Sequence, residues 1–327
     1  MRNLDGIRQV LAPELDEMNR IIHATLDTDN ALMNEVVTTY LKQKGKQIRP
    51  ILLVLAAKMF GKDDKVPEKV LWAAAALEML HNASLIHDDV VDETSLRRGE
   101  STINALWGNH LAVLVGDYFV SNALAAGIHT GHISIIASLS DLGKELSIGE
   151  IDQICNVRHH DFKEESYFSM IRKKTASLFR NCVKMGAEAV DADPEYFAPM
   201  VRFAELLGLS FQIKDDIFDY YSDPVIGKPT GNDLREGKVT LPLLYALRTA
   251  PEEEASRMRE TLMQQSLDNA EIRALIEFAK ANGGIEYAFA TMRRLQGEAM
   301  TLLEPYPDSE AKRAFTGIFD FIISRSN

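Results

Sequence analysis

The sequence predicts a single all-α domain spanning residues 1–327, a bundle of about a dozen helices. Three observations lead there. No proline occurs between Glu68 and Asp193; a helix-interior proline costs about 3 kcal/mol, so its absence permits long helices. The apolar residues keep a three-to-four rhythm, with Leu71, Ala74, Ala75, Met79, Leu85 and Ile86 set against Glu78 and Asn82. No Val/Ile-rich alternating segment bounded by turn residues is found.

The elements follow in order. Turn-forming residues place loops near 26–30, 42–46, 61–66, 94–100, 127–132, 160–164, 186–194, 222–237 and 250–254. Pro67 has the position of a first-turn proline and opens a helix that runs to Asp92. Asp193-Pro194 marks another helix start. There is no Gly/Ser linker, low-complexity tract or short-period repeat, so nothing divides the chain into separate domains.

Composition excludes several functions. Of the 327 residues 46% are hydrophobic, ample for a large core. The net charge of −12, with no basic tail or stripe, argues against a nucleic-acid partner. Cys155 and Cys182 stand in no metal-ligand spacing and read as reduced thiols of a cytoplasmic protein. The start of the chain carries no apolar signal core, and no run of 18 apolar residues offers a membrane span.

The chemistry lies in two clusters of one form, Asp88-Asp89-Val90-Val91-Asp92 and Asp215-Asp216-Ile217-Phe218-Asp219. Residues four apart stack on one helix face, so Asp88 and Asp92 point the same way, as do Asp215 and Asp219. Like charges there repel, and a divalent cation would offset the cost; all-oxygen ligands favour Mg²⁺. His81 and Ser84 continue the Asp88–Asp92 stripe. A merely solvated acidic face does not explain Leu85, Ile86, Val90 and Val91 beside the first cluster, nor Ile213, Ile217 and Phe218 beside the second.

Cationic segments accompany the acids. Arg97-Arg98-Gly99 follows the first cluster, and Lys46 and Arg49 flank a helix start in Gly45-Lys46-Gln47-Ile48-Arg49-Pro50. Lys173-Lys174-Thr175 lies in a helical stretch, and Lys228 and Lys238 lie in the glycine-rich segment after the second cluster. Arginine forks and helix N-termini both suit phosphate oxygens. No P-loop, dinucleotide fingerprint or Gly-x-Ser-x-Gly elbow is present, so two phosphates that are not a nucleotide's are the expected ligand.

These residues, in this order, resemble the trans-isoprenyl diphosphate synthases (polyprenyl synthetases). The resemblance runs through Gly45-Lys46-x-x-Arg49-Pro50, Glu78-x-x-His81, the first acidic cluster with Arg97-Arg98-Gly99, Gly116-Asp117-Tyr118, Gly149-Glu150-x-x-Gln153 and Lys174-Thr175-Ala176. It continues through Phe211-Gln212-x-x-Asp215-Asp216-x-x-Asp219, Gly227-Lys228-x-x-Gly231-x-Asp233 and Gly237-Lys238-x-Thr240-Leu241-Pro242. One departure is Lys44, where many members have a second glycine.

The resemblance implies the isoprenoid synthase fold, helices around a central cavity, and a reaction. An allylic diphosphate ionises, isopentenyl diphosphate attacks the cation, and loss of a proton leaves a chain one unit longer. It implies that Asp88 and Asp92 hold two Mg²⁺ and Asp215 a third, with Asp89, Asp216 and Asp219 in the outer shell. Arg97, Lys174, Lys228 and Lys238 would share the allylic diphosphate; Lys46, Arg49, His81 and Arg98 would hold isopentenyl diphosphate; Thr175 and Gln212 would face the cation. Released pyrophosphate would serve as base. A homodimer is implied, with peripheral membrane contact at most, for product release.

Product length is read from the turns before Asp88. Ala83 and Ser84 are small where short-chain members carry a bulky aromatic, and Leu80, Leu77, Ala76 and Ala73 add no aromatic obstruction. A helix over 67–92 is about 39 Å long. Eight extended isoprene units at about 4–5 Å each are comparable, so a product of about C35–C50 is expected. The alternatives are a shorter-chain (farnesyl or geranylgeranyl) synthase and a regulatory subunit of a heteromeric synthase, though both acidic motifs are intact. A histidine-rich phosphohydrolase would leave the second acidic cluster idle, and a terpene cyclase would not need Lys46, Arg49 and Arg98.

Overall fold

The computed structural model describes residues 4–42, 45–62, 65–97, 99–221 and 230–325. Among these residues the chain forms seventeen α-helical segments, one five-residue π turn and a hairpin of two two-residue strands, so the all-α expectation holds. The helices outnumber the expected dozen because several are short and because the breaks at 263–268, 282–283 and 304–309 were not among the expected loops. Gly108, with φ of 85°, separates Ile103–Trp107 from Asn109–His129, and Asn232–Arg235 is a single turn inside an expected loop. The hairpin pairs Leu96 with Ser101 and Arg97 with Glu100, reaching one residue past the expected 94–100 loop. Gly99 turns it at φ 83°, a backbone conformation that suits a residue without Cβ.

The residues gather into two compact units. One comprises residues 1–144, 178–204 and 306–318. Its central element is the Glu68–Val91 helix, which packs against the Ala12–Leu26, Ile48–Phe60 and Asn109–His129 helices. Ala73, Ala74, Ala75, Ala76 and Leu77 are all fully buried, so small side chains let the neighbouring helices approach. Pro67 is the cap before the first helical residue, at ψ 148°, one position earlier than the sequence suggests. Gly116 admits the Asn109–His129 helix against His87: a Cβ there would lie 2.2 Å from the His87 Nε2. Gly186 similarly lets its helix approach the Leu53 carbonyl.

The other unit comprises residues 145–177, 205–305 and 319–327. Its core joins Leu243, Ala246 and Leu247 to Ile272, Leu275, Phe278 and Ile285. The Asn269–Ala281 helix starts with a capping box, Asp268 accepting from the Glu271 backbone and Glu271 accepting from the Asp268 backbone. The second acidic cluster closes the Pro194–Asp219 helix, whose first residue is the Pro194 of the Asp193-Pro194 start.

Asn109–His129 is long and apolar enough by composition to cross a membrane, with a mean hydropathy of 1.6 over its best window. The sequence reading expected no such span. Asp117, Ser121 and Asn122 interrupt its apolar sequence, and its buried side, with Ala112, Val115, Gly116 and Phe119, packs on Glu68–Val91.

Candidate active site

Both acidic clusters sit on the last turn of a helix. Asp88 and Asp89 end Glu68–Val91, and Asp92 is its C-cap, its N–H bonded to the carbonyls of Asp88 and Val90. No basic residue lies in that last turn. The helix dipole places partial negative charge at this end, so three carboxylates here work against the helix. Asp215, Asp216 and Asp219 repeat the arrangement at the end of Pro194–Asp219, again with no basic residue in the last turn. Helix stability does not favour acids in either place, so each cluster needs a counter-charge.

In the first cluster, Asp88 and Asp92 are partly exposed and Asp89 is buried. Arg97 holds the Asp89 Oδ1 through Nη2 at 2.7 Å and Nε at 2.9 Å. Burial raises the Asp89 carboxyl above its ordinary value, and Arg97 counters the rise. The Asp89 carbonyl accepts from the Thr94 backbone at 2.9 Å and from Asn104 at 3.1 Å, fixing the chain where it leaves the helix. Arg97 therefore braces the acidic turn in addition to any contact with a diphosphate.

His81 is buried, and its carbonyl accepts from the Ser84 hydroxyl at 2.8 Å. Ala83 is buried, and Ser84 is half-buried one turn before Asp88. The Arg49 guanidinium lies over the Phe179 ring at 5.5 Å, while Lys46 is exposed just before the helix. Gln47 caps that helix in the left-handed region, at φ 52°, and its amide donates to Asn19 at 2.9 Å.

The second cluster belongs to a hydrogen-bond network. The Thr175 hydroxyl donates to the Gln212 Oε1 at 2.7 Å, and Gln212 Nε2 donates to the Asp216 Oδ1 at 2.8 Å. The Tyr167 hydroxyl donates to the other Asp216 oxygen at 2.5 Å. Burial pushes the Asp216 carboxyl up to about 7, against the pull of these two hydrogen bonds. Lys174 and Thr175 lie in the π turn Arg172–Ala176, a helical bulge that redirects side chains. Gly149 makes room for it, since a Cβ there would fall 2.7 Å from the Lys174 nitrogen. Lys174 pairs with Glu150 and donates to Gln153 at 3.2 Å. The matched Gly149-Glu150-x-x-Gln153 segment thus holds the lysine.

Asp219 has a structural task. Its two carboxylate oxygens accept the N–H groups of Asn232 and Asp233, both at 3.0 Å, and cap the Asn232–Arg235 turn. Burial raises its carboxyl, and these backbone donors oppose the rise. Asp233 is raised well above its ordinary value by burial and then by the charges of Asp216 and Asp219. Lys238 pairs with Glu236 at 2.5 Å. Arg98 and Lys228 lie outside the described residues.

Two residues in contact with the acids were not singled out from the sequence. Tyr167 lies 49 positions before Asp216, and Arg325 pairs with Asp215 from 110 positions away. Glu150 and Gln153 are quoted in the sequence motifs but without a role. Nothing local marks Tyr167 or Arg325; only folding brings them to their partners.

Among the described residues no three His, Cys, Asp or Glu side chains close on one point as a metal site. The donors nevertheless fit a hard cation. Each helix end presents carboxylate oxygen, and Mg²⁺ binds through one or two carboxylates with waters and substrate phosphates completing the shell. Helix-borne acids with nearby lysine, threonine and glutamine define a class: all-helical enzymes of diphosphate chemistry.

Comparison with known proteins specifies it. The polyprenyl synthetase profile matches residues 30–279. Octaprenyl diphosphate synthase of Escherichia coli (strain K12) is 32% identical over 324 residues, covering 99% of each chain. The crystal structure of a decaprenyl diphosphate synthase from Rhodobacter capsulatus superposes with a TM-score of 0.91 at 29% identity, over 98% of each chain. That of a geranylgeranyl pyrophosphate synthase from Bacteroides thetaiotaomicron gives 0.84 at 39% identity, also over 98% of each. The chain belongs to the polyprenyl synthetase family and is a trans-prenyltransferase.

Proposed function

We propose that this protein is a Mg²⁺-dependent long-chain polyprenyl diphosphate synthase that adds isopentenyl diphosphate repeatedly to an allylic diphosphate, all-trans, to about C35–C50. The observation that carries the reading is the placement of both Asp-Asp-x-x-Asp motifs on helix C-terminal turns. Magnesium, about three ions per site when bound, would neutralise charge on the departing diphosphate. Asp88, Asp92 and Asp215 would supply its ligands. Asp89, Asp216 and Asp219 keep those carboxylates in place through Arg97, Gln212 and the Asn232–Arg235 turn.

In this reading Arg97, Lys174, Lys228 and Lys238 bind the allylic diphosphate, and Lys46, Arg49, His81 and Arg98 bind isopentenyl diphosphate. Lys174 and Lys238 begin paired with Glu150 and Glu236, so each exchanges a carboxylate for a phosphate when substrate binds. The oxygens of Thr175 and Gln212 steady the allylic cation, and the proton lost after condensation passes to the released pyrophosphate. In this reading residues 1–327 act as a single catalytic domain.

We further propose a cytoplasmic homodimer, with membrane contact limited to product release. Its support is the apolar side of Asn109–His129: Leu114 is 60% exposed and Ile128 64%, and Ile133 beyond the helix is 84% exposed. Such a face fits a second copy of the same chain.

Long products are favoured by Ala83 and Ser84, which leave no aromatic stop before Asp88. The 39% identity to the geranylgeranyl pyrophosphate synthase favours a second reading, a C20 product. Chromatography of products from radiolabelled isopentenyl diphosphate with farnesyl or geranylgeranyl diphosphate as primer decides. Products of about C35–C50 support the first reading, arrest at C20 the second, and no elongation by the purified chain overturns both.

A further inference from the structure

Arg325 follows the Glu310–Ser324 helix and ion-pairs through Nη2 with the Asp215 Oδ1. The same nitrogen donates to the Phe211 carbonyl at 3.3 Å. The guanidinium lies over Phe211 at 4.4 Å and Phe218 at 5.2 Å, and the side chain is only 10% exposed, against 41% for Asp215. Lys214, 6% exposed, places its ammonium over Phe218 at 5.1 Å and over Phe289 at 4.7 Å. Two cations therefore share the Phe218 ring beside the one carboxylate that the proposed function assigns to metal binding in this motif.

We propose that Arg325 is a displaceable counter-ion of Asp215, which makes divalent-metal binding at the second acidic motif conditional on the diphosphate. The inference rests on the assignment of Asp215 as a metal ligand. A divalent ion approaching Asp215 alone meets a guanidinium already on the carboxylate, with a second ammonium nearby. Cation repulsion at such distances is strong away from bulk water. A diphosphate brings several negative charges, which relieve the repulsion and give the guanidinium new oxygen acceptors. The aromatic rings and the Phe211 carbonyl keep Arg325 in place while its partner changes. Linkage makes the effect mutual: diphosphate tightens metal, and metal tightens diphosphate. Without substrate, the pairing also offsets the charge of Asp215 at the helix C-terminus.

The test is Mn²⁺ binding to the full chain, followed by electron paramagnetic resonance, with and without inorganic pyrophosphate. Wild type, Arg325→Gln, Arg325→Lys and Asp215→Asn are compared, with folding checked by circular dichroism. Arg325→Gln should bind Mn²⁺ about tenfold more tightly without pyrophosphate, with a correspondingly smaller gain on adding it. Asp215→Asn should lose that site under both conditions. Arg325→Lys keeps the charge without the fork and should fall between wild type and Arg325→Gln; it carries the test if Arg325→Gln does not fold. Unchanged or weaker Mn²⁺ affinity in the folded arginine variants, with the pyrophosphate gain intact, overturns the proposal. Prenyl transfer by the wild type is measured separately. Elongation with no change in Mn²⁺ affinity removes this inference alone, and the expected Mn²⁺ shift without elongation removes the functional reading alone.

Discussion

Thr175 donates a hydrogen bond to Gln212 at 2.7 Å, joining the π turn Arg172–Ala176 to the helix that carries the second acidic motif. Gln212 passes the connection to Asp216 at 2.8 Å. Gln212→Leu should therefore leave the Thr175 hydroxyl and one Asp216 oxygen without this partner. A loss of about 1–3 kcal/mol in stability is expected, the cost of an unsatisfied buried polar group. The rate should fall as well, because Lys174 and Asp215 are neighbours in sequence of the disturbed residues. Urea denaturation and single-turnover kinetics check both; a fully active, equally stable variant contradicts the network's role.

Asp88 and Asp215 should differ in stability when neutralised. Asp88→Asn removes a charge from a helix C-terminus, a gain of about 0.3–1 kcal/mol, but also an attraction to Arg97, so the stability of the metal-free protein should change little. Asp215→Asn removes the ionic partner of the largely buried Arg325 and should destabilise it. Both should lower prenyl transfer by orders of magnitude while preserving helix content. Thermal melts in chelator, paired with turnover assays, read the two effects separately, and near-normal turnover in either variant removes its metal assignment.

Product length should respond to a bulky residue at the turn before Asp88. Ser84 is half-buried, so Ser84→Phe should shorten the products and fold well. Ala83 is 1% exposed, and Ala83→Tyr should shorten them at a cost of about 1–3 kcal/mol from overpacking. Thin-layer chromatography of dephosphorylated products measures the shift. An unchanged distribution in both variants means the chain does not grow past these positions.

Glu188 gives a pH dependence away from the acidic motifs. Burial raises its carboxyl above 4.5, while Lys184 and the Ser138 hydroxyl at 3.1 Å work against the rise. A carboxyl raised in the folded state holds its proton longer than in the unfolded chain. The stability it contributes is complete below the unfolded value and is lost as pH climbs through the folded one. Glu188→Gln retains an acceptor for Ser138 without the charge. It should be more stable than wild type near about pH 8, with the difference closing toward about pH 4. Denaturant midpoints across that range test it, and a constant difference contradicts the assignment to ionisation.

Much of the architecture is legible in local sequence because its causes are local. Asp193-Pro194 starts a helix where the ring fixes φ, and the proline-free stretch after Glu68 yields the long helices. Asp-Asp-x-x-Asp on helical spacing announces cation chemistry because charge repulsion needs a counter-charge wherever the helix lies. The π turn at Lys174 was not legible, since it accompanies a close approach of Gly149 from another helix. Nor was the task of Asp219, whose spacing matches that of a ligand but whose oxygens cap a turn 13 residues later in the chain.

By itself the sequence determined the helical class, the start of the Pro194–Asp219 helix, the two acid-bearing turns and the family chemistry they carry. Propensity, capping and charge repulsion act over a few residues, and those are written in order along the chain. Tertiary structure alone decided which partner each charged group keeps: Arg97 on Asp89, Tyr167 on Asp216, Arg325 on Asp215. These pairs form because burial leaves a charged or polar group few acceptable neighbours, and packing brings those neighbours from distant parts of the chain.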